Sequence, residues 1–512
     1  MFPSIGDIYC SFNEQMQQYT ACQITALKET EDKKPRQLAA ILQLNWSGDQ
    51  LPTESELDVM KPLICNFFFW NGTLEHNYVK ADVPVSYILV GNRPPLITEE
   101  SRSYSSGWPA GESLYRQRQW ELINESRRTL FKQAAHDHSD ITARGIKMRR
   151  NTSTIRNFIP TSADDVAELE ALPCLTHIEM NGYHEAIIPF LKENPFVYEL
   201  HVQNHGQRIL NFSQTQLTRL VVDASGMEKI ILNNKMDFLS LTGEISPGLL
   251  IDTTGDGQQL TLSIAETLPE IRGLSRLSSL QLYKIKELDI ESVVQAYPEL
   301  SELRLWGKPG TVSGIHSIQH LKSLQMFSTN DLFGFEGDQF PSPEQLPELH
   351  TLWMSSLPAE AAKSIKTRYK KVAETRIDLD ITQPRKPEWL AENLNNPFRD
   401  WDGREQIKAV HAKKAAQLYK QSLKRIRELS QRNDYEDTLS DQLISFTQEY
   451  TQTFNQMDAK SEWIETIERE EIAAALAYLI DKLEDQLKTT QSGSFKIDRD
   501  QLYEVFDRTR DF

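Results

Sequence analysis

"YPELSELRLWG" at residues 297–307 is echoed by "LPELHTLWMSS" at residues 346–356. Both stretches place apolar residues at the first, fourth and sixth positions of a Leu-x-x-Leu-x-Leu frame, with an aromatic residue beside it. With Ile, Val or Met allowed, the frame recurs at Leu175–Ile178–Met180, Val197–Leu200–Val202, Leu217–Leu220–Val222 and Met236–Leu239–Leu241. It recurs again at Leu277–Leu280–Leu282, Leu300–Leu303–Leu305, Leu321–Leu324–Met326 and Leu349–Leu352–Met354. First positions are separated by 22, 20, 19, 41, 23, 21 and 28 residues, and the 41 spans two periods around an eroded repeat expected at "GQQLTLSI" (257–264). A sustained period near twenty residues marks a leucine-rich-repeat solenoid. Each short strand turns its Leu side chains inward and stacks on the next, so neighbouring coils bury one continuous core. The Asn usual three residues after the last Leu is replaced by Tyr183, His205, Ser225, Lys308 and Thr329, which predicts irregular coils.

Outward from the repeats the pattern changes. Residues 1–98 alternate apolar and polar residues in short bursts such as "GDIYCSF", "AAILQLNW" and "VSYILVG", which predicts strands in a small β barrel or curved sheet. Residues 99–160 read as linker and helix: "NRPPLITEESRSYSSGWPAG" (92–111) has linker composition, and "ESLYRQRQWELINESRRTLFKQAA" has helical spacing. "ARGIKMRRNTSTIR" (143–156) reads as a basic connector. The solenoid is expected over 161–375, closed by a capping helix "PAEAAKSIKTRYKKVAET" (358–375). A helical post-repeat segment (376–430) and an acidic helical domain (431–512) follow. The expected fold class is α+β multidomain: a small N-terminal β barrel or sheet, a central α/β solenoid and a C-terminal α-helical domain.

Composition narrows the function. The chain has 512 residues, 73 Asp+Glu against 56 Lys+Arg and a net charge of −17. From Ser430 to Phe512 there are 19 acids and 9 bases. Such a field repels nucleic acid and anionic membranes and favours basic protein partners. Four cysteines without CxxC pairing (Cys10, Cys22, Cys65, Cys174) suit a reducing compartment. "MFPSIGDIYC" lacks a signal-peptide pattern, and the longest apolar runs, "LICNFFFW" and "IAAALAYLI", are far shorter than a membrane span. A cytoplasmic location is the expectation.

No Gly-x-x-x-x-Gly-Lys-Ser/Thr, Gly-x-Ser-x-Gly or His-Glu-x-x-His motif occurs. "HDHSD" places His136, His138 and Asp140 close together, but on a helical pattern this is a solvated polar cluster before it is a metal site. Asp378 and Asp380 in "IDLDI" suit a strand edge as well as a metal, and "EREE" (468–471) reads as a solvated helix face. The expectation is therefore no catalytic, metal or cofactor site. A better signal lies at the third, fifth and seventh frame positions, which point away from the core onto the concave surface. There stand Tyr283, Trp306 and Phe327, then Trp353, with Glu302, Arg304, Gln281, Gln325 and Thr351 around them. Nearer the N-terminus come His177, Glu179, Glu199, His201, Arg219 and Asp223. Aromatics beside Arg are the composition of interface anchors. Packing beneath a neighbouring domain is the competing account of the same rings.

The order of a "GDIY"-led β domain, irregular repeats and the segment "KPEWLAENLNNPFRDWDGR" resembles a bacterial family of leucine-rich-repeat proteins encoded beside Rhs-type and other polymorphic toxins. "IGDIYCSFNEQMQQYTACQITAL" is also similar to the opening of a small β-fold immunity-protein family. The resemblance covers residues 5–95 and 165–430 and has no counterpart for 431–512. It implies a cytoplasmic immunity protein that binds a cognate toxin domain one-to-one and neutralises it without catalysis. The alternatives are a scaffold or sensor in a bacterial regulatory or antiphage defence system, and an enzyme centred on the β domain or "HDHSD".

Overall fold

The structure, a computed structural model, describes residues 3–30, 37–105, 107–143, 146–373, 375–404, 406–430, 439–459, 463–490 and 497–512. The chain folds into two compact units, Met1–Pro384 and Arg385–Phe512. The boundary expected at residue 431 lies outside the described residues.

The first unit opens with a six-stranded sheet of β1 (Asp7–Asn13), β2 (Gln18–Glu29), β3 (Gln37–Gly48), β4 (His76–Lys80), β5 (Ile88–Asn92) and β6 (Ser103–Tyr104). Its order is β5-β1-β2-β3-β4-β6, so the sheet is open, with β5 and β6 at the edges. Register shifts between β2 and β3 supply local bend. The stretch read as a linker contributes β6, and Trp108 locks it: its Nε1 donates to the Lys80 carbonyl at 2.9 Å and its ring meets Tyr9 at 5.4 Å. The expected single helix is two, α1 (Glu112–Leu122) and α2 (Glu125–Ala135). Asn124 breaks it, because its side-chain oxygen accepts from the Ser126 backbone N–H at 2.9 Å and caps the second helix. Trp120 and Phe131 from these helices pack with Phe67, Cys174 and Phe196, which joins the segment after β3 and the first coils through one core.

The solenoid is an eleven-stranded sheet whose strands pair in parallel throughout: β7 (Thr154–Phe158), β8 (His177–Asn181), β9 (Glu199–Gln203), β10 (Arg219–Asp223), β11 (Phe238–Thr242), β12 (Thr261–Ala265), β13 (Ser279–Asp289), β14 (Glu302–Ser313), β15 (Met326–Phe333), β16 (Thr351–Ser355) and β17 (Asp378–Thr382). Register pairs Leu200 with Leu220, Leu220 with Leu239 and Leu239 with Leu262, one coil apart each time. The inward residues form one continuous core from Ile155 to Ile381. β12 stands where the eroded repeat was expected, with buried Leu260 shifted one residue from the frame's first position. Coils in the middle return through a second parallel sheet of Ile209–Asn211, Lys229–Ile231, Leu249–Asp252 and Ile271–Arg272. Where an asparagine ladder would stand, His205 Nε2 contacts the Asp223 carbonyl at 2.6 Å and its Nδ1 accepts from the Gln207 N–H at 3.0 Å.

Both ends of the solenoid differ from expectation. The stretch read as a basic connector holds a hairpin (Asp140–Ala143 with Ile146–Arg149) and β7, the first coil strand. The expected capping helix, α3 (Ala359–Ala373), is instead the return of a coil, because β17 follows it and pairs with β16. The sequence frame slips once. β14 pairs Leu303 with Phe327 and Leu305 with Thr329, so the true frame there is Leu324–Phe327–Thr329.

The second unit is helical: Pro387–Asn393, then α4 (Ala409–Ser430), α5 (Leu439–Asp458), α6 (Thr466–Thr490) and α7 (Arg499–Thr509). Phe398 and Trp401 from "NNPFRDWDG" sit in its centre against Phe454, and Trp401 also meets Trp463. The post-repeat segment and the terminal helices therefore share one core. The "EREE" face is not simply solvated: Glu468 is fully buried, and Arg404 reaches Glu468 at 3.2 Å and Glu471 at 2.7 Å.

Candidate binding face of the solenoid

Alternate residues of β7–β17 point away from the core, and parallel register lines them into rows. One row runs Gln281, Arg304, Ser328, Trp353 and Asp380; a second runs Glu302, Met326, Thr351 and Asp378. Trp306 opens a third with Asn330 and Ser355, and Tyr283 lies one strand away across a register shift. Gln281, Tyr283, Glu302, Arg304 and Trp306 are half-buried, whereas Trp353 is 42% exposed. Trp353 Nε1 donates to Asp378 Oδ2 at 3.1 Å, which fixes the ring on the surface. Arg304 pairs with Glu302 and places Nη2 3.5 Å from Met326 Sδ.

Two of the expected residues are elsewhere. Phe327 is fully buried and meets Phe340 at 5.7 Å, a core residue and not part of the displayed face. Gln325 is exposed but precedes β15; its carbonyl accepts from the His350 and Thr351 N–H groups at 2.9 and 3.0 Å. The cause is the frame slip: Leu321, Leu324 and Phe327 are all buried, and only strand pairing decides which pair belongs to the strand. Met326, Ser328 and Asn330 take the displayed positions instead.

At the other end of the face the structure gathers His177, Glu179, Glu199, His201 and Arg219. His177 pairs with Glu199 and Glu179 with His201 across β8 and β9. His201 Nε2 lies 2.9 Å from Glu199 Oε1, and the two imidazole rings stand 4.6 Å apart. Burial lowers the His177 pKa below the ordinary imidazole value, Glu199 opposes the shift, and His201 adds to it. Asp223 lies further along, where its carboxylate accepts from the Ser225 N–H at 3.1 Å.

Beside this group opens a cleft of about 770 Å³, lined on one side by Tyr115 and Arg116 of α1 and on the other by Tyr198, Glu199, Arg219 and Asp237. Asp237 was not singled out by the sequence. It stands one residue before β11, and Gln15 Nε2 donates to its Oδ2 at 3.2 Å. Burial raises its pKa to about 6, although Arg219 and Arg116 pull the other way. No local pattern reveals that α1 forms the other wall of this cleft, because that segment lies more than a hundred residues earlier in the chain.

The other candidates have ordinary partners. His136 Nε2 lies 3.1 Å from Asn71 Nδ2, His138 Nδ1 lies 3.0 Å from Asn151 Nδ2, and Asp140 pairs with Lys147 at 2.7 Å, so the "HDHSD" side chains do not converge. All four cysteines are buried and free, and burial pushes the thiols of Cys10 and Cys65 up to about 12 and that of Cys174 to about 11. Among the described residues no helix is long and apolar enough to cross a membrane.

No protein-family model matches the chain, and no curated protein does. Among solved structures the chain is similar to one from the LRIM1/APL1C complex, with 12% identity and a TM-score of 0.24 over 71% of this chain and 85% of that one. It is also similar to an internalin (inlF) from Listeria monocytogenes, with 11% identity and a TM-score of 0.21 over 47% of this chain and 84% of that one. At such scores neither likeness bears on function, and the solenoid assignment rests on strand register and the repeat frame.

Proposed function

We propose that this chain is a non-catalytic protein-binding scaffold, and more specifically an immunity protein that neutralises a toxin domain encoded beside it. The observation that carries the reading is the surface position of Trp353, held at 42% exposure on the same face as Trp306, Tyr283 and Arg304. Large aromatics next to Arg on a rigid sheet are the residues that anchor protein interfaces, because they desolvate much area at little entropic cost. Glu302, Asp378 and Asp380 surround them, and the net charge of −17 favours fast capture of a basic partner. The specific partner comes from the resemblance of the "GDIY" opening and the post-repeat segment to immunity proteins.

The test uses the purified chain and the toxin domain encoded next to it. A one-to-one complex and loss of toxin activity are expected. Trp306→Ala with Trp353→Ala should weaken binding roughly 30-fold or more, in the range of two interface anchors, while Tm stays within about 2 °C. Normal binding by the folded double variant removes these residues from the interface. Absence of any complex removes the immunity reading.

A further inference from the structure

His177 and Glu179 are two residues apart on β8 and point to one side of the sheet. Glu199 and His201 do the same on β9, and in-register pairing sets Glu179 directly beside His201. One donor atom from each of His177, Glu179 and His201 lies within 4.8 Å of the other two. Among the described residues no other three His, Cys, Asp or Glu side chains converge in this way. The group is half-buried, and His177 Nε2 is sealed from solvent with no hydrogen-bond partner.

Two imidazole nitrogens and a carboxylate oxygen match the preference of zinc and similar borderline divalent ions, which bind at about 2.0–2.2 Å. Closing the donors onto such an ion requires a shift of the order of 1 Å in each, within the reach of side-chain rotation on a fixed strand pair. We infer that His177, Glu179 and His201 form a binding site for a divalent transition-metal ion, Zn²⁺ foremost. Glu199 lies 2.9 Å from His201 Nε2 and Arg219 stands 3.6 Å from Glu199, so a further carboxylate and its counter-ion flank the group. Glu199 and Arg219 also line the cleft beside α1, so the ion adjoins a space large enough for a small molecule or a partner's side chain.

One group opposes the ion. Arg156 lies 3.3 Å from Glu179 Oε1 and competes for the same carboxylate. Its side chain is 74% exposed, and an ion pair that open to water contributes little, so the ion displaces it. This competition makes the site testable by a gain as well as by losses.

The metal-stripped full-length protein is titrated with Zn²⁺ by calorimetry and with Co²⁺ by visible absorption. Expected are one ion per chain, a Co²⁺ d–d spectrum of low coordination number and a higher Tm in Zn²⁺. His177→Gln with His201→Gln, and separately Glu179→Gln, should weaken binding at least 100-fold and 10-fold, whereas His316→Gln, at an exposed position, should change nothing. Arg156→Ala should tighten binding about threefold or more. Because His177, Glu179, His201 and Arg156 lie on the displayed face and His316 is exposed, far-UV circular dichroism should show the variants folded. If the double variant unfolds, Glu179→Gln and Arg156→Ala decide the matter. Absence of stoichiometric binding by the wild type, or binding equal in wild type and Glu179→Gln, overturns the site. Either result leaves the role of Trp306 and Trp353 untouched, because they lie on strands at the other end of the face.

Discussion

At Asp237 a single carboxyl reports how the N-terminal helices close over the solenoid. Its folded pKa of about 6 stands above the ordinary aspartate value of 3.8, so between roughly pH 4 and pH 6 the native state holds a proton that the unfolded chain has released. Stability therefore falls as pH rises through that window, and the whole penalty is present at neutral pH. Asp237→Asn should raise Tm at pH 7.5 by an amount equivalent to about 1–2 kcal/mol. The gain should shrink to nothing near pH 4, as thermal scans across pH will show. A variant less stable than wild type at pH 7.5 would mean that Arg219 and Arg116 outweigh burial. Phe327 carries the other residue-scale lesson, since its type suits a displayed anchor and a core filler equally well. Only the partner strand on either side distinguishes them.

Among elements, β14 links the sequence motif most directly to the structure. Leu303 and Leu305 are fully buried, and Glu302, Arg304 and Trp306 face outward, as the repeat frame requires. The strand then runs on through "GKPG", where its pairing with β15 shifts between Trp306 and Gly310. A Cβ on Gly307 would stand 2.1 Å from the Asp331 carbonyl oxygen, and one on Gly310 would stand 2.2 Å from that of Ile285. Both contacts are with backbone, which cannot rotate away, so the shift that follows Trp306 depends on two residues without side chains. Gly307→Ala should cost about 2 kcal/mol or more, measured as a lower denaturation midpoint. It should also weaken partner binding through displacement of Trp306.

For the molecule as a whole, the solenoid core and the core of the helical unit have different logic. The first grows coil by coil, so each Leu contributes locally. The second centres on Phe398 and Trp401, with Trp401 Nε1 donating to Glu471 Oε2 at 2.7 Å and Arg404 bridging Glu468 and Glu471. Removing Arg404 leaves Glu468 buried without its charge partner. Arg404→Ala should destabilise the helical unit by about 3 kcal/mol. In calorimetry this should appear as one unfolding transition moving down while the transition of Met1–Pro384 stays in place. A single transition shifted as a whole would show that the two units unfold together.

Period and composition alone determined the solenoid, since a stripe of Leu every twenty residues has no other way to bury itself. The β character of the opening residues and the helical character of the last were equally legible, because each follows from local hydrophobic periodicity. The tertiary structure decided the rest. It set the register of β15 and so sent Phe327 inward, turned a linker-like stretch into an edge strand, and made α3 a coil return by adding β17. It also brought His177, Glu179 and His201 together and set Asp237 in a cleft opposite a helix distant in sequence. Local pattern specifies which face of a strand is apolar. Which strand lies beside it, and what covers the polar face, depend on contacts between residues far apart in the chain, and no short window of sequence contains them.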